Sequence, residues 1–305
     1  MGADAISATT RICAVYGHPV KHSASPAMHN AALHALGLDW RYLAFDVHPD
    51  SLPDALRGAA AMRFMGLNLT VPHKILAMDL VDELDESART WGAVNTVLFE
   101  GQTGGAGWTP LRDCDLEAVT EIRTRGFNTD ADAITRSLQE DLGLQLSGTT
   151  VLLLGAGGAG RTAALKLASE GVKQLYLVNR TLSKAEGLAR EIQQRFPNVK
   201  AVLGYPEGPV DLVMNGTSLG LNADDPLPFE ASRFSLKQAA AAYDMIYRPS
   251  ETRFLAEAAQ NGCKTANGLG MLLYQGAKAL EIWTGTPAPV DLMRATLREQ
   301  IYGKT

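Results

Sequence analysis

Residues 149–160, TTVLLLGAGGAG, constrain the fold of this chain more than any other stretch. The apolar run reads as a buried strand, the glycines as a turn, and the alanine-rich residues that follow as the start of a helix. Gly155, Gly157 and Gly160 stand in the G-x-G-x-x-G spacing. The first glycine permits the tight turn, the second lets the backbone approach a diphosphate, and the third lets the helix pack closely on the strand. Unpaired amides and the positive end of the helix dipole then face the anion. Glycines at this spacing occur in many loops, and the flanking VLLL and AALKLA are what make the segment read as a dinucleotide fold.

The next apolar strand, residues 174–178, ends in Asn179, Arg180 and Thr181, where an NAD-selective domain usually carries an acidic residue for the ribose. Arg180 offers a planar fork suited to a 2′-phosphate, Thr181 a hydroxyl, and Lys184 a second cation one helical turn on. Cations in the first turn of a helix are unfavourable by about 0.3–1 kcal/mol each. A bound anion explains them better than a merely solvated helix start does, and NADP is expected over NAD.

At 305 residues and 46% hydrophobic, the chain is long enough for two domains with substantial cores. Its net charge of −5 and the lack of a basic run oppose binding to nucleic acid and favour a small-molecule partner. Cys13, Cys114 and Cys263 are far apart, without C-x-x-C pairs or histidines at metal spacing, so no metal is expected and a reducing compartment suits them. No apolar run reaches membrane-spanning or signal-peptide length, and Gly2 is not followed by Ser or Thr at position 6 as myristoylation would require. The expectation is a soluble cytoplasmic protein, monomeric or homodimeric, with no membrane partner.

The pattern before the glycine motif alternates short strands and helices. Strands are expected at residues 12–16, 41–47, 66–71 and 94–99, and helices at 26–36, 51–61 and from 72 toward 80, which points to an α/β domain with a mainly parallel sheet. A helix over residues 131–142 leads into a Rossmann-type domain with a long helix at 183–196 and strands at 200–203, 211–215 and 242–244. Two final helices, 271–283 and 290–301, have no strand to cover there and are expected to rejoin the first domain. The division expected is residues 1–131 plus 272–305 against 132–271, with the active site in the crevice between the two domains. Residues 99–126 are irregular: GQTGGAGWTPL is glycine-rich, and 115–123 reads as a short helix.

Several segments carry chemistry. In GHPVKHSASPAMHN (residues 17–30), Ser23 and Ser25 lie at a turn ahead of a helix, spaced to donate to one carboxylate; Ser25 reads equally as the N-cap of a helix begun by Pro26. In NLTVPHK (68–74), Lys74 falls in the first turn of a Pro-started helix, either as a surface lysine or as a charged donor of a proton to a carbonyl oxygen. Asn95 in AVNTV and the sequence Asn128, Thr129, Asp130 in GFNTDADA read as turns and caps. If Asp130 faces Lys74, the two make an acid/base pair.

Together these segments resemble the shikimate dehydrogenases, the shikimate/quinate dehydrogenase family, from Val15 to about Gly285. The resemblance also rests on GAGGAG, NRTLSKA, NGTSLGL (215–221), YDMIYRP (243–249) and GLGMLLYQGAKALEIWTG (268–285). It implies a two-domain enzyme that interconverts 3-dehydroshikimate and shikimate with NADP, a step of chorismate and aromatic amino acid biosynthesis. It implies Lys74 and Asp130 as the catalytic pair, and Ser23 and Ser25 with Tyr247 on the substrate carboxylate. Asn68, Thr70, Asn95, Asp130 and Gln275 would face the ring hydroxyls and the reacting oxygen. Gly155, Ala156, Gly157, Gly158, Ala159 and Gly160 match the diphosphate loop, and Asn179, Arg180, Thr181 and Lys184 the 2′-phosphate pocket. Asn215, Thr217, Gly268 and Met271 match segments along the ribose and nicotinamide, Met271 reading also as core. His18, His22, His29 and His73 are structural in this reading.

Two departures stand out. Residues 99–125 are longer than the family's usual connection, which allows an altered pocket, a lid or a subunit contact, and Ala131 follows Asp130 where glycine is common. The paired serines favour shikimate over quinate by family analogy. A relative acting on quinate or aminoshikimate is the nearest alternative, and a catalytically silent NADPH sensor is the alternative of another class.

Overall fold

The computed structural model describes residues 6–105 and 107–303; Gly2, and Ala106 within the glycine-rich stretch, lie outside the described residues. The chain divides into two compact units, Met1–Thr129 with Gln275–Thr305, and Asp130–Tyr274.

The first unit is built on β1 (Arg11–Gly17), α1 (Ser25–Ala35), β2 (Trp40–Asp46), α2 (Leu52–Ala61), β3 (Gly66–Leu69), α3 (His73–Leu76), β4 (Glu83–Leu84), α4 (Glu86–Trp91), β5 (Thr96–Gln102), β6 (Thr109–Pro110) and β7 (Glu121–Phe127). Its sheet runs β2-β1-β3-β5-β7-β4, with β6 beside β5. The parallel arrangement expected from the strand–helix alternation holds for β2, β1 and β3. Beyond them β5 runs antiparallel to β3, β6 and β7, so the sheet is mixed.

The short helix expected at residues 115–123 is not formed. Asp115 closes a turn by accepting the Glu117 N–H at 3.1 Å, and β7 then pairs with β5 from Glu121 to Phe127. Val119, Thr120, Ile122 and Thr124 are β-branched, and a strand partner outweighs the weak helical pattern. Arg112 in this segment donates to the carbonyls of Ile282 (2.8 Å) and Trp283 (3.0 Å), so the long connection is pinned to the end of a C-terminal helix.

The second unit contains α5 (Asp130–Leu142), β8 (Thr150–Leu154), α6 (Gly158–Ser169), β9 (Gln174–Val178), α7 (Leu182–Arg195), β10 (Lys200–Leu203), β11 (Val210–Asn215), β12 (Ala239–Asp244), α8 (Arg253–Gln260) and β13 (Lys264–Asn267). All its strands are parallel, in the order β10-β9-β8-β11-β12-β13. That is the doubly wound order in which the strand sequence reverses between β8 and β11, the point where such sheets take a ligand. The central strand β8 is a continuous apolar run, as in a sheet covered on both faces, and Val151 through Leu154 are wholly buried. α8 and β13 were not expected from sequence. Thr252 caps α8 by accepting the Leu255 N–H.

The chain passes back to the first unit within α9 (Leu269–Thr284), and α10 (Val290–Tyr302) packs against α1. Trp283, wholly buried, lies on Gly66: a Cβ there would sit 2.1 Å from the indole nitrogen. The same nitrogen donates to the Val97 carbonyl at 3.0 Å.

Candidate active site

Asn68, Asn95 and Gln275, three of the expected substrate residues, are tied together in the first unit at the ends of β3 and β5. Asn68, buried on β3, donates through Nδ2 to the Asn95 carbonyl and to Thr96 Oγ1, both at 3.1 Å. Asn95 is held from the other side: its Oδ1 accepts the Thr129 N–H at 2.8 Å, and its Nδ2 donates to Thr129 Oγ1 at 2.9 Å. Thr129 in turn donates to the Gln275 carbonyl at 3.0 Å, so the asparagine of AVNTV, the threonine of GFNTD and the glutamine of α9 form one cluster. Buried polar groups are kept only when paired, and this density of pairing fixes each side chain.

Sequence reasoning did not single out Tyr42, which is fully buried and donates to Asn68 Oδ1 at 2.7 Å. Burial holds its phenol well above the usual pKa, the Ser25 hydroxyl acting the other way. The ring stacks on His29 at 4.1 Å and lies beside Trp283. His29 is enclosed, its Nδ1 at 3.0 Å from the Ser25 carbonyl, and burial lowers its pKa to about 4. Only sequence separation hid these partners, since an aromatic residue on a strand reads as core.

Ser25 does not act as a cap. It is the first residue of α1, and Ala24, at the N-cap, has no side chain that reaches the helix amides. Ser23 Oγ accepts the Ser25 N–H at 3.3 Å. Lys74 is half-buried on α3, a helix of one turn, and its carbonyl accepts the Val94 N–H next to Asn95. Thr70 covers Gly17, where a Cβ would meet its methyl at 2.4 Å.

In the second unit the three glycines of the motif do separate jobs. Gly155 has φ +105°, which favours glycine, and Gly160 would place a Cβ 2.1 Å from the Gly155 carbonyl oxygen. A Cβ on Gly157 would meet no protein atom within 4 Å, and Gly157 caps α6 without any side-chain bond. Open space over an uncapped helix start, with no acidic residue in the first turn, is a cradle of the kind a diphosphate fills. Asn179 holds the loop from beneath, accepting the Ala156 N–H at 2.9 Å and donating to the Thr181 carbonyl at 2.8 Å. Arg180, Thr181 and Lys184 are exposed, and α7 also begins without an acidic residue. Arg161 is different: its fork is taken by Glu191, at 2.6 and 3.0 Å.

Asn215 anchors the next loop, accepting the N–H and the hydroxyl of Thr217 and donating to Asp244, a buried carboxylate whose pKa burial raises despite its hydrogen bonds. Gly268 fits against Met245, whose carbonyl would lie 2.1 Å from a Cβ. Tyr247 and Met271 are half-buried, and Asp130 is buried at the start of α5. Among the described residues no group of three metal-ligating side chains is found, and no helix is long and apolar enough to cross a membrane.

The doubly wound sheet and its glycine loop define a dinucleotide-binding α/β protein with a second α/β unit. Residues 15–97 match the family described as shikimate dehydrogenase substrate binding domain, 137–207 shikimate / quinate 5-dehydrogenase, and 268–298 the shikimate 5'-dehydrogenase C-terminal domain. A shikimate dehydrogenase (NADP(+)) of Methanopyrus kandleri is 39% identical, over 97% of this chain and 98% of its own. A shikimate dehydrogenase solved in complex with NADP+ superposes with a TM-score of 0.83 at 36% identity, covering 97% of this chain and 98% of that one. A 5-ketofructose reductase of Gluconobacter sp. strain CHM43 gives a TM-score of 0.78 at 33% identity, covering 96% and 99%. The chain belongs to the shikimate dehydrogenase family, a family of oxidoreductases.

Proposed function

We propose that this chain reduces 3-dehydroshikimate reversibly to shikimate with NADPH. The observation that carries the reading is that Lys74, Asp130 and Gln275 all stand in their motifs on a chain that matches an NADP-dependent shikimate dehydrogenase over 97% of its length. NADPH bound at the glycine loop supplies the hydride. Gly155 and Gly160 shape that loop, Gly157 leaves the diphosphate its space, and Arg180, Thr181 and Lys184 take the 2′-phosphate with charge-assisted hydrogen bonds. Asn179, Asn215, Thr217, Gly268 and Met271 shape the rest of the cofactor's path.

On the substrate, Ser23, Ser25 and Tyr247 hold the carboxylate, and Asn68, Thr70, Asn95 and Gln275 hold the ring hydroxyls. Lys74 gives a proton to the carbonyl oxygen in reduction and takes it back in oxidation, with Asp130 orienting it; this is general acid–base catalysis. The test is initial-rate absorbance of NAD(P)H with shikimate and quinate, each paired with NADP and NAD. Turnover restricted to shikimate with NADP is the expected result. Turnover of quinate alone overturns the substrate assignment, and the absence of turnover in all four pairings overturns the reading.

A further inference from the structure

The buried polar cluster of the first unit has a direction. At one end the Gln275 carbonyl can only accept, and it takes the Thr129 hydroxyl at 3.0 Å. The Thr129 N–H can only donate, and it goes to Asn95 Oδ1. That orients the Asn95 carboxamide, whose Nδ2 donates to Thr129 Oγ1. Thr96 also donates to Asn95 Oδ1, at 3.2 Å, and so accepts from Asn68 Nδ2. The second Nδ2 hydrogen of Asn68 goes to the Asn95 carbonyl, another group that can only accept. Asn68 Oδ1 therefore faces Tyr42, and the Tyr42 hydroxyl fills one of its two lone pairs at 2.7 Å.

We infer that Tyr42 is a positioning residue of the substrate subsite: both Nδ2 hydrogens of Asn68 are spent inside the cluster, so Asn68 meets a ligand only as an acceptor, and the Tyr42 hydroxyl, held on one lone pair of Oδ1, aims the other at the ligand. Such a subsite takes a ring hydroxyl or amine against Asn68 and rejects an ether or a ketone there, because two acceptors would face each other. The high pKa of the buried phenol keeps its proton in place at any working pH. This deepens the proposed function and rests on it, since it needs Asn68 to face the substrate.

Tyr42→Phe keeps the ring against His29 and Trp283 and removes the hydroxyl, with its donation to Asn68 and its contact with the Ser25 hydroxyl, a contact that Thr96→Val leaves in place. The expected result is a KM for shikimate raised about tenfold, with kcat and the KM for NADP within about twofold of the unaltered chain. Thr96→Val, which breaks the cluster one bond further on, is expected to show the same split between KM and kcat. Against the ring-deoxy shikimates, the unaltered chain should discriminate strongly at one hydroxyl, and Tyr42→Phe should narrow that discrimination. An active parent with unchanged shikimate KM in both variants overturns the inference alone. A loss of kcat and NADP affinity equal to the loss of shikimate affinity assigns Tyr42 to general stability and overturns it as well. A parent with no shikimate turnover overturns the proposed function and the inference with it.

Discussion

Arg180 is an exposed cation at the end of β9, in a place where a carboxylate would mark NAD, and it takes part in no ion pair among the described residues. Arg180→Ala is expected to raise the KM for NADP by about tenfold or more while leaving that for NAD nearly unchanged, as for loss of a charge-assisted pair. Equal effects on both cofactors would remove Arg180 from the 2′-phosphate. Lys74→Ala is expected to lower kcat by about 10²–10⁴-fold with little change in shikimate affinity, the range of a lost general acid; near-normal turnover would take lysine out of the mechanism. Both could be proposed as candidates from sequence because each sits in a short segment whose neighbours give its context. Tyr42, Thr96 and Thr129 were not. Tyr42 meets Asn68 across 26 positions and Thr129 meets Gln275 across 146, and such partners appear only once β2, β3, β5 and α9 are folded together.

At the scale of elements, the β8–turn–α6 unit separates structural from ligand-directed glycines. Gly160→Ala drives a methyl into the Gly155 carbonyl, a backbone atom that cannot step aside, and is expected to lower Tm by several degrees and to weaken NADPH binding together. Gly157→Ala meets no protein atom, so its stability is expected to stay within about 0.5 kcal/mol of the parent while NADPH binding is largely lost. Thermal melts beside NADPH fluorescence titrations distinguish the two, and normal NADPH binding by Gly157→Ala would count against the diphosphate cradle. The same unit shows what sequence reveals well: a long apolar run, a glycine turn and a helix start are local signals. β7 shows the reverse. Residues 115–123 have an ambiguous local pattern, and only the pairing of β7 with β5 decides it. β4, of two residues, is too short to carry a period, β13 (KTAN) has a single apolar residue, and α8 follows a loop whose cap, Thr252, also binds Asp244.

The molecule as a whole should weaken in acid. His29 is fully enclosed and neutral in the fold, with its pKa lowered from 6.5 to about 4 by burial, and burial lowers that of His73 as well. Above pH 6.5 neither the folded nor the unfolded chain carries the His29 charge, and its contribution is complete. As pH falls below that point the unfolded chain takes up a proton that the fold refuses, so stability declines until about pH 4, by up to roughly 3 kcal/mol for His29. Urea titrations across this window should show a shallower decline for His29→Phe than for the parent, and parallel declines would exclude His29 as a source. The discontinuity of the first unit has a consequence for synthesis. A ribosome delivers its strands first and the helix bearing Trp283, with α10 behind it, only after the whole of Asp130–Tyr274. The sheet of the second unit has all its strands once Asn267 has emerged, while Gly66 still lacks the indole that will cover it. At ~5–20 residues per second the nascent first unit waits roughly ten to thirty seconds with that apolar surface open.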